Sequence, residues 1–211
     1  MEYVSTITTV LVFYTIAAVS PGPNFIVITR TALAESRENG LYTGIGVATG
    51  TSLWAIVGAF GLGFLLTYVP WLSGALKVIG GIYLIYLGYR FLRGAREPLA
   101  EVSGQGSGVE GNRGRRAAYM TGLLTNATNP KAAAFFASLY ASVVTPETPL
   151  WVYVAFIVPI GVIAMLWYGS LGLIFSTGTF QTLYRRAKVV IDVVCGGLLV
   201  VVGGGMLIQM L

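Results

Sequence analysis

Six long runs of apolar residues, separated by short polar or charged stretches, organise the chain. They cover roughly Val4–Ile28, Leu41–Leu66, Trp71–Leu92, Ala117–Val144, Leu150–Phe175 and Val189–Leu211. A helix needs about 20 apolar residues to cross a hydrocarbon core, and each run is long enough. The runs are continuous rather than short and alternating, so the strands of a membrane barrel are not expected. The pattern predicts an all-α integral membrane protein with six transmembrane helices.

The basic residues orient these helices. The gap after the first run holds Arg30 and Arg37. The region after the third holds Arg90, Arg93, Arg96, Arg113, Arg115 and Arg116, and the gap after the fifth holds Arg185, Arg186 and Lys188. Together these are eleven of the thirteen Lys and Arg; Lys77 and Lys131 fall inside runs. The gaps after the second and fourth runs hold none, nor does the N-terminal tail. Basic loops stay in the cytoplasm. The loops after helices 1, 3 and 5 are therefore expected inside the plasma (inner) membrane and both termini outside. Removing one helix from this count would put basic loops on both sides. The start of the chain carries Glu2 and no basic residue before a long apolar run, so it is expected to remain as a helix and not to be a signal peptide.

One long connection, 94–116, is Gly-rich and contains Ser103–Gly108 in the order Ser-Gly-Gln-Gly-Ser-Gly, which suits a flexible cytoplasmic tether. It divides the chain into a first three-helix unit, 1–93, and a second, 117–211. Three helices per half force the halves to cross the membrane in opposite directions, which predicts a 3+3 inverted repeat. Two features support it. Gly80-Gly81 with Gly88 in helix 3 matches Gly196-Gly197 with Gly204 in helix 6, although small residues are common at packed membrane faces in any case. More telling, helices 1 and 4 are both interrupted deep in their apolar runs. The first break is Ser20-Pro21-Gly22-Pro23-Asn24; the second has Asn126 followed by Thr128-Asn129-Pro130-Lys131.

Proline removes a backbone donor and clashes with the preceding turn, yet it suits the first position of a new helix. Ser and Asn are good N-caps. Ser20-Pro21 and Asn129-Pro130 therefore each read as a cap and the first residue of a half-helix. Free N–H groups and the helix dipole at such a start attract an anion, and irregular backbone in a membrane is tolerated where it lines a cavity. A solute carboxylate fits this place, with its ammonium meeting carbonyls freed by the break. The expected binding residues are Ser20, Pro21, Gly22, Pro23, Asn24, Asn126, Thr128, Asn129, Pro130 and Lys131. Plain proline kinks are the alternative, and Pro159 in helix 5 is read as one.

Composition narrows the chemistry. Hydrophobic residues make up 55% of the chain and charged ones only 10%, against about a quarter charged in soluble domains. The net charge of +5 is explained by topology, so no nucleic-acid partner is expected. There is no histidine, which excludes histidine-based catalysis and metal ligation, and the single cysteine, Cys195, cannot form an intrachain redox pair. No catalytic residues, metal or cofactor are expected.

Lys131 sits mid-span, where a charge is costly and a functional role is the default hypothesis. Asp192 lies near the start of helix 6. Pairing with Lys131, accepting a proton, binding a substrate ammonium, and pairing with Lys188 one turn earlier all remain open for it. Lys77 is expected to snorkel at the outer end of helix 3, and Glu35 and Glu38 to lie in a solvated loop. Trp71, Trp151, Tyr68 and Tyr153 suit an interfacial aromatic belt. The glycines of helix 2, Gly40, Gly44, Gly46, Gly50, Gly58 and Gly61, allow close helix packing.

These motifs resemble a known family. Ser20-Pro21-Gly22-Pro23, Leu76-Lys77 leading to Gly80 and Tyr83–Gly88, Thr128-Asn129-Pro130-Lys131, and Asp192 before Gly196-Gly197 are similar to the LysE/RhtB amino-acid exporters, over essentially the whole chain. The resemblance implies a secondary transporter that exports amino acids or related small metabolites from the cytoplasm, driven by the proton motive force. It carries over Pro21, Gly22, Pro23, Asn129, Pro130, Lys131 and Asp192. The expected partners are an amino-acid substrate, membrane lipid and a second copy in a homodimer. No acidic cluster is visible, which points to a neutral rather than a cationic amino acid. A passive channel stays open as an alternative; a transmembrane redox carrier is disfavoured by the lone cysteine.

Overall fold

The computed structural model describes residues 2–68, 72–95, 114–143, 148–175 and 178–208. Every regular element among them is an α-helix: α1 (Glu2–Val19), α2 (Pro23–Ala34), α3 (Arg37–Tyr68), α4 (Leu72–Gly94), α5 (Arg115–Ala127), α6 (Pro130–Val143), α7 (Leu150–Ile174) and α8 (Gly178–Ile208). The expected tether falls largely, and Trp71 wholly, outside the described residues, as do the side chains of Tyr68 and Lys77.

The outside of the bundle is apolar as well as its core. Large apolar side chains cover the outside, with Leu166 68% and Val201 71% exposed, while Thr43, Thr51, Asn126, Asn129, Lys188 and Asp192 are buried. Apolar surface of that extent needs lipid rather than water around it. Within the described residues, three stretches are long and apolar enough to cross a membrane, Arg37–Gly61, Leu150–Ile174 and Ala187–Gly205. The pair α1 and α2, bent by 47°, makes a fourth when counted as one span. Helix α7 continues through Pro159.

The glycines decide the packing. Helix α3 lies between α5 and α7 and uses a different Gly-x-x-x-Gly stripe for each. Gly40 and Gly44 press on the backbone of Gly172 and Tyr168 in α7; Gly46 lies against Tyr119 in α5, and Gly50 against the Asn126 side chain. From the other side, Gly122 of α5 meets the Thr43 carbonyl. Each residue advances an α-helix by about 100°, so two stripes offset by six residues face different neighbours. A side chain at any of these positions would push two helices apart.

Helices α4 and α8 run antiparallel with Gly81 against Gly203 and Gly88 against Gly196. Of the glycines matched in the sequence, Gly81, Gly88 and Gly196 lie at this contact, joined by Gly203; Gly80 is turned towards Ser138 of α6, while Gly197 and Gly204 meet no described atom.

One correction concerns the start of α8. The apolar pattern begins at Val189, but the helix begins at Gly178, eleven residues earlier. Arg185, Arg186 and Lys188 therefore belong to a helix and not to a loop. Lys188 is buried and donates to Asp192 Oδ2 at 2.8 Å and to the Gly94 carbonyl at 2.7 Å. The Gly94 carbonyl closes α4, where the helix dipole favours a cation. Glu38 is likewise not a free loop residue: it opens α3 and pairs with Arg115, the first residue of α5, at 2.6 Å. One tie joins the starts of α3 and α5; the other joins α8, ten residues in, to the end of α4.

Candidate functional site

Both interrupted runs fold as helix, short break, helix. At the first break, the Ser20 N–H reaches Ile16 O at 3.3 Å as the last bond of its turn, and Pro21 has no N–H to continue the ladder. Gly22 then adopts extended backbone and precedes Pro23, the first residue of α2. The expected cap and first residue, Ser20-Pro21, are thus displaced: Gly22-Pro23 takes that role, because Pro21 leaves the helix instead of opening the next one. No side chain caps α2. Its first helical bond runs from Ile26 N–H to Gly22 O at 3.0 Å, and the donors ahead of it have no partner inside the helix.

At the second break the expected cap forms. Asn129 Oδ1 accepts the Lys131 N–H at 2.9 Å, Pro130 occupies the first helical position, and Ala133 N–H reaches Asn129 O at 3.1 Å. The remaining Asn129 amide group donates to Asn24 Oδ1 at 3.2 Å, which ties the second break directly to the first.

A cavity of about 40 Å³ opens between the two breaks, room for a few waters. Ser20, Gly22, Pro23, Asn24, Asn126, Asn129 and Lys131 line it. Pro21, Thr128 and Pro130 are not part of the lining; Thr128 is exposed and its hydroxyl bonds back to Leu124 O at 2.7 Å. Aromatic walls complete the cavity: Tyr14 from α1, Phe25 from α2, Phe135 and Phe136 from α6, and Tyr168 from α7, together with Thr51 from α3. Sequence reasoning missed these wall residues. They sit in uninterrupted apolar helices, where an aromatic carries no signal that separates cavity from core.

Lys131 lies at the rim of the second break. Its ammonium stands 4.5 Å from the centre of the Phe91 ring, a cation–π arrangement. A Cβ at Gly22 would approach the ammonium to 3.3 Å, so glycine gives Lys131 room beside the start of α2. Among the described residues Lys131 has no ion-pair partner. Asp192 is near enough for electrostatic attraction but is bonded to Lys188, the last of its expected alternatives, and both side chains are buried within the bundle. The other Asp192 oxygen is buried with no partner.

A ladder of rings leads away from the cavity. Tyr14 and Phe136 stack at 6.1 Å, Phe136 meets Tyr140 at 5.8 Å, and Tyr140 meets Phe156 at 5.2 Å. Phe156 meets Tyr153 at 5.8 Å, and Tyr153 stacks on Phe60 at 5.4 Å. Tyr153, expected in an interfacial belt, is a buried rung of this ladder, whereas Trp151 is exposed and packs edge-on to Tyr3.

Comparison with known proteins places the chain in a family. The family model described as LysE type translocator matches residues 15–210. The threonine efflux protein of Escherichia coli (strain K12) is 32% identical over 193 residues, covering 90% of this chain and 91% of that protein. The threonine efflux protein of Salmonella typhi is 29% identical over 190 residues, covering 90% and 91%. An uncharacterized membrane protein of Haemophilus influenzae is 28% identical over 188 residues, covering 88% of each chain. No solved structure matches the chain.

Proposed function

The chain belongs to the LysE type translocator family, and from that premise we propose that it is a secondary transporter that exports neutral amino acids or related small metabolites from the cytoplasm, coupled to the proton motive force. It is a membrane transporter and not an enzyme.

One observation carries this reading: the Asn24–Asn129 hydrogen bond joins two helix breaks whose polar residues share one cavity with aromatic walls. An amino acid is a zwitterion, and the cavity has a place for each end. Its carboxylate goes to the uncapped start of α2 and to the Lys131 ammonium, which lacks an ion-pair partner among the described residues. The direct contacts are Ser20, Gly22, Pro23, Asn24, Asn126, Asn129 and Lys131, with Pro21, Thr128 and Pro130 acting by breaking the helices. The cavity holds only a few waters as it stands, so entry and release require its walls to part.

In this reading α1 with α2 and α5 with α6 are two broken spans. They complete six spans in two inverted three-helix units, 1–93 and 117–211, joined by the tether 94–116. The pairing of helices supports it: α3 packs on its counterpart α7, α4 on its counterpart α8, and Gly81 and Gly88 mirror Gly196 and Gly203. The basic ends of the bundle face the cytoplasm and both termini face outward. Asp192 serves as proton carrier or as an alternating partner of Lys131. Gly-rich faces left open, such as that of Gly197 and Gly204, suit contact with a second copy.

The test is efflux from cells that express the chain and are loaded with labelled amino acids. Accumulation outside against a concentration gradient, lost when the proton gradient is collapsed, is the expected result. Transport that only equilibrates the solute would make the protein a passive channel.

A further inference from the structure

Three buried polar atoms of the cavity lining have no hydrogen-bond partner among the described residues: the Tyr14 hydroxyl of α1, Ser20 Oγ just after α1, and Asn126 Oδ1 of α5. Asn126 is 1% exposed and Ser20 is 3% exposed. Both side chains line the cavity, and Asn126 Oδ1 and Ser20 Oγ have no hydrogen-bond partner among the described residues. Buried polar atoms are normally paired, and an unpaired one is destabilising unless a ligand or water completes it.

The surroundings of Asn126 explain why its oxygen is left over. Its Nδ2 donates to Thr51 Oγ1 at 3.0 Å, and its backbone carbonyl accepts from Trp54 Nε1 at 3.1 Å. Thr51 and Trp54 both belong to α3, and Gly50 of the same helix gives the amide its seat. One N–H of the amide is therefore committed to Thr51, which fixes its orientation, and the oxygen is the side-chain atom left with no partner. A fixed acceptor calls for a donor on the solute.

Resting on the exporter reading above, we infer that Asn126 Oδ1 and Ser20 Oγ form the subsite for the substrate's primary ammonium, with Thr51 as the residue that orients Asn126. The subsite accepts N–H groups, while the start of α2 and Lys131 supply positive charge for the carboxylate. It selects solutes that carry an amino group beside the carboxylate over the same acid without one, since the latter leaves both oxygens unpaired.

The experiment measures binding of threonine and of 3-hydroxybutyrate, the same acid lacking the amino group, to purified wild-type protein and to the Asn126→Ala and Ser20→Ala variants. Losing a hydrogen bond to a charged group is expected to weaken threonine binding about tenfold in Asn126→Ala, and less in Ser20→Ala. Binding of 3-hydroxybutyrate is expected to stay unchanged and so serves as the check on folding. Thr51→Val is expected to follow Asn126→Ala in part, with Thr51→Ser restoring wild-type behaviour. Equal weakening of both ligands, or no weakening of either, overturns the ammonium subsite while leaving the exporter reading in place. Wild-type protein that binds 3-hydroxybutyrate as tightly as threonine overturns the subsite as well.

Discussion

Asn129 caps α6 with its side-chain oxygen and reaches Asn24 of α2 with its side-chain nitrogen, at 2.9 and 3.2 Å. One residue therefore holds a helix start in place and couples it to a segment more than a hundred positions away in the chain.

The two roles separate by substitution. Asn129→Ala removes the cap and the cross-link, whereas Asn24→Ala removes only the cross-link. An N-cap contributes about 1 kcal/mol and a neutral hydrogen bond about 1 kcal/mol. Thermal unfolding in detergent is expected to place Asn129→Ala about 2 kcal/mol below wild type and Asn24→Ala roughly halfway between.

Lys131→Ala is expected to abolish efflux while leaving the amount of protein in the membrane unchanged. Its ammonium packs on Phe91 and has no ion-pair partner among the described residues, so its removal strands no buried carboxylate. Comparison of efflux with membrane abundance in the same cells is the measurement. Normal efflux by the variant would take Lys131 out of the transport cycle.

Lys188 and Asp192 form a buried ion pair, with their side chains 10% and 4% exposed. Deleting either partner leaves an uncompensated charge among apolar residues and is expected to cost about 3–5 kcal/mol. The double variant Lys188→Met with Asp192→Leu removes both charges and is expected to unfold at a higher temperature than either single alanine variant. Equal losses in all three would show that the pair contributes only packing.

Glycine substitutions sort by what they meet. Gly122 touches the Thr43 carbonyl of α3, so Gly122→Ala forces two helices apart and is expected to destabilise by about 1–3 kcal/mol. Gly197 faces open space, and Gly197→Ala is expected to be neutral or to stabilise α8 by up to about 1 kcal/mol. The midpoint of thermal unfolding distinguishes them.

The main features of the fold were written into the sequence because lipid imposes a coarse rule, long apolar runs, and because proline interrupts a helix at a fixed place. The bounds of α7 could be read almost to the residue. The start of α8 could not: Gly178–Lys188 is polar, and its helicity rests on contacts such as Lys188 with the Gly94 carbonyl that no local pattern announces. The cap at Asn129 was legible from Asn-Pro alone. The one at Gly22 was not, since two prolines in a row of four residues offer two possible helix starts, and backbone geometry decides between them. Thr51 escaped notice for a related reason. A threonine in an apolar helix commonly bonds to its own backbone, and only the fold brings it against Asn126, 75 residues away.

The ring ladder from Tyr14 to Phe60 bears on a different demand of membrane transport, electrical tightness. Protons and small ions cross proteins along continuous files of water, and rings packed centroid against centroid leave no width for such a file. In the exporter proposed above, this row of rings is expected to keep its side of the cavity closed to protons at rest.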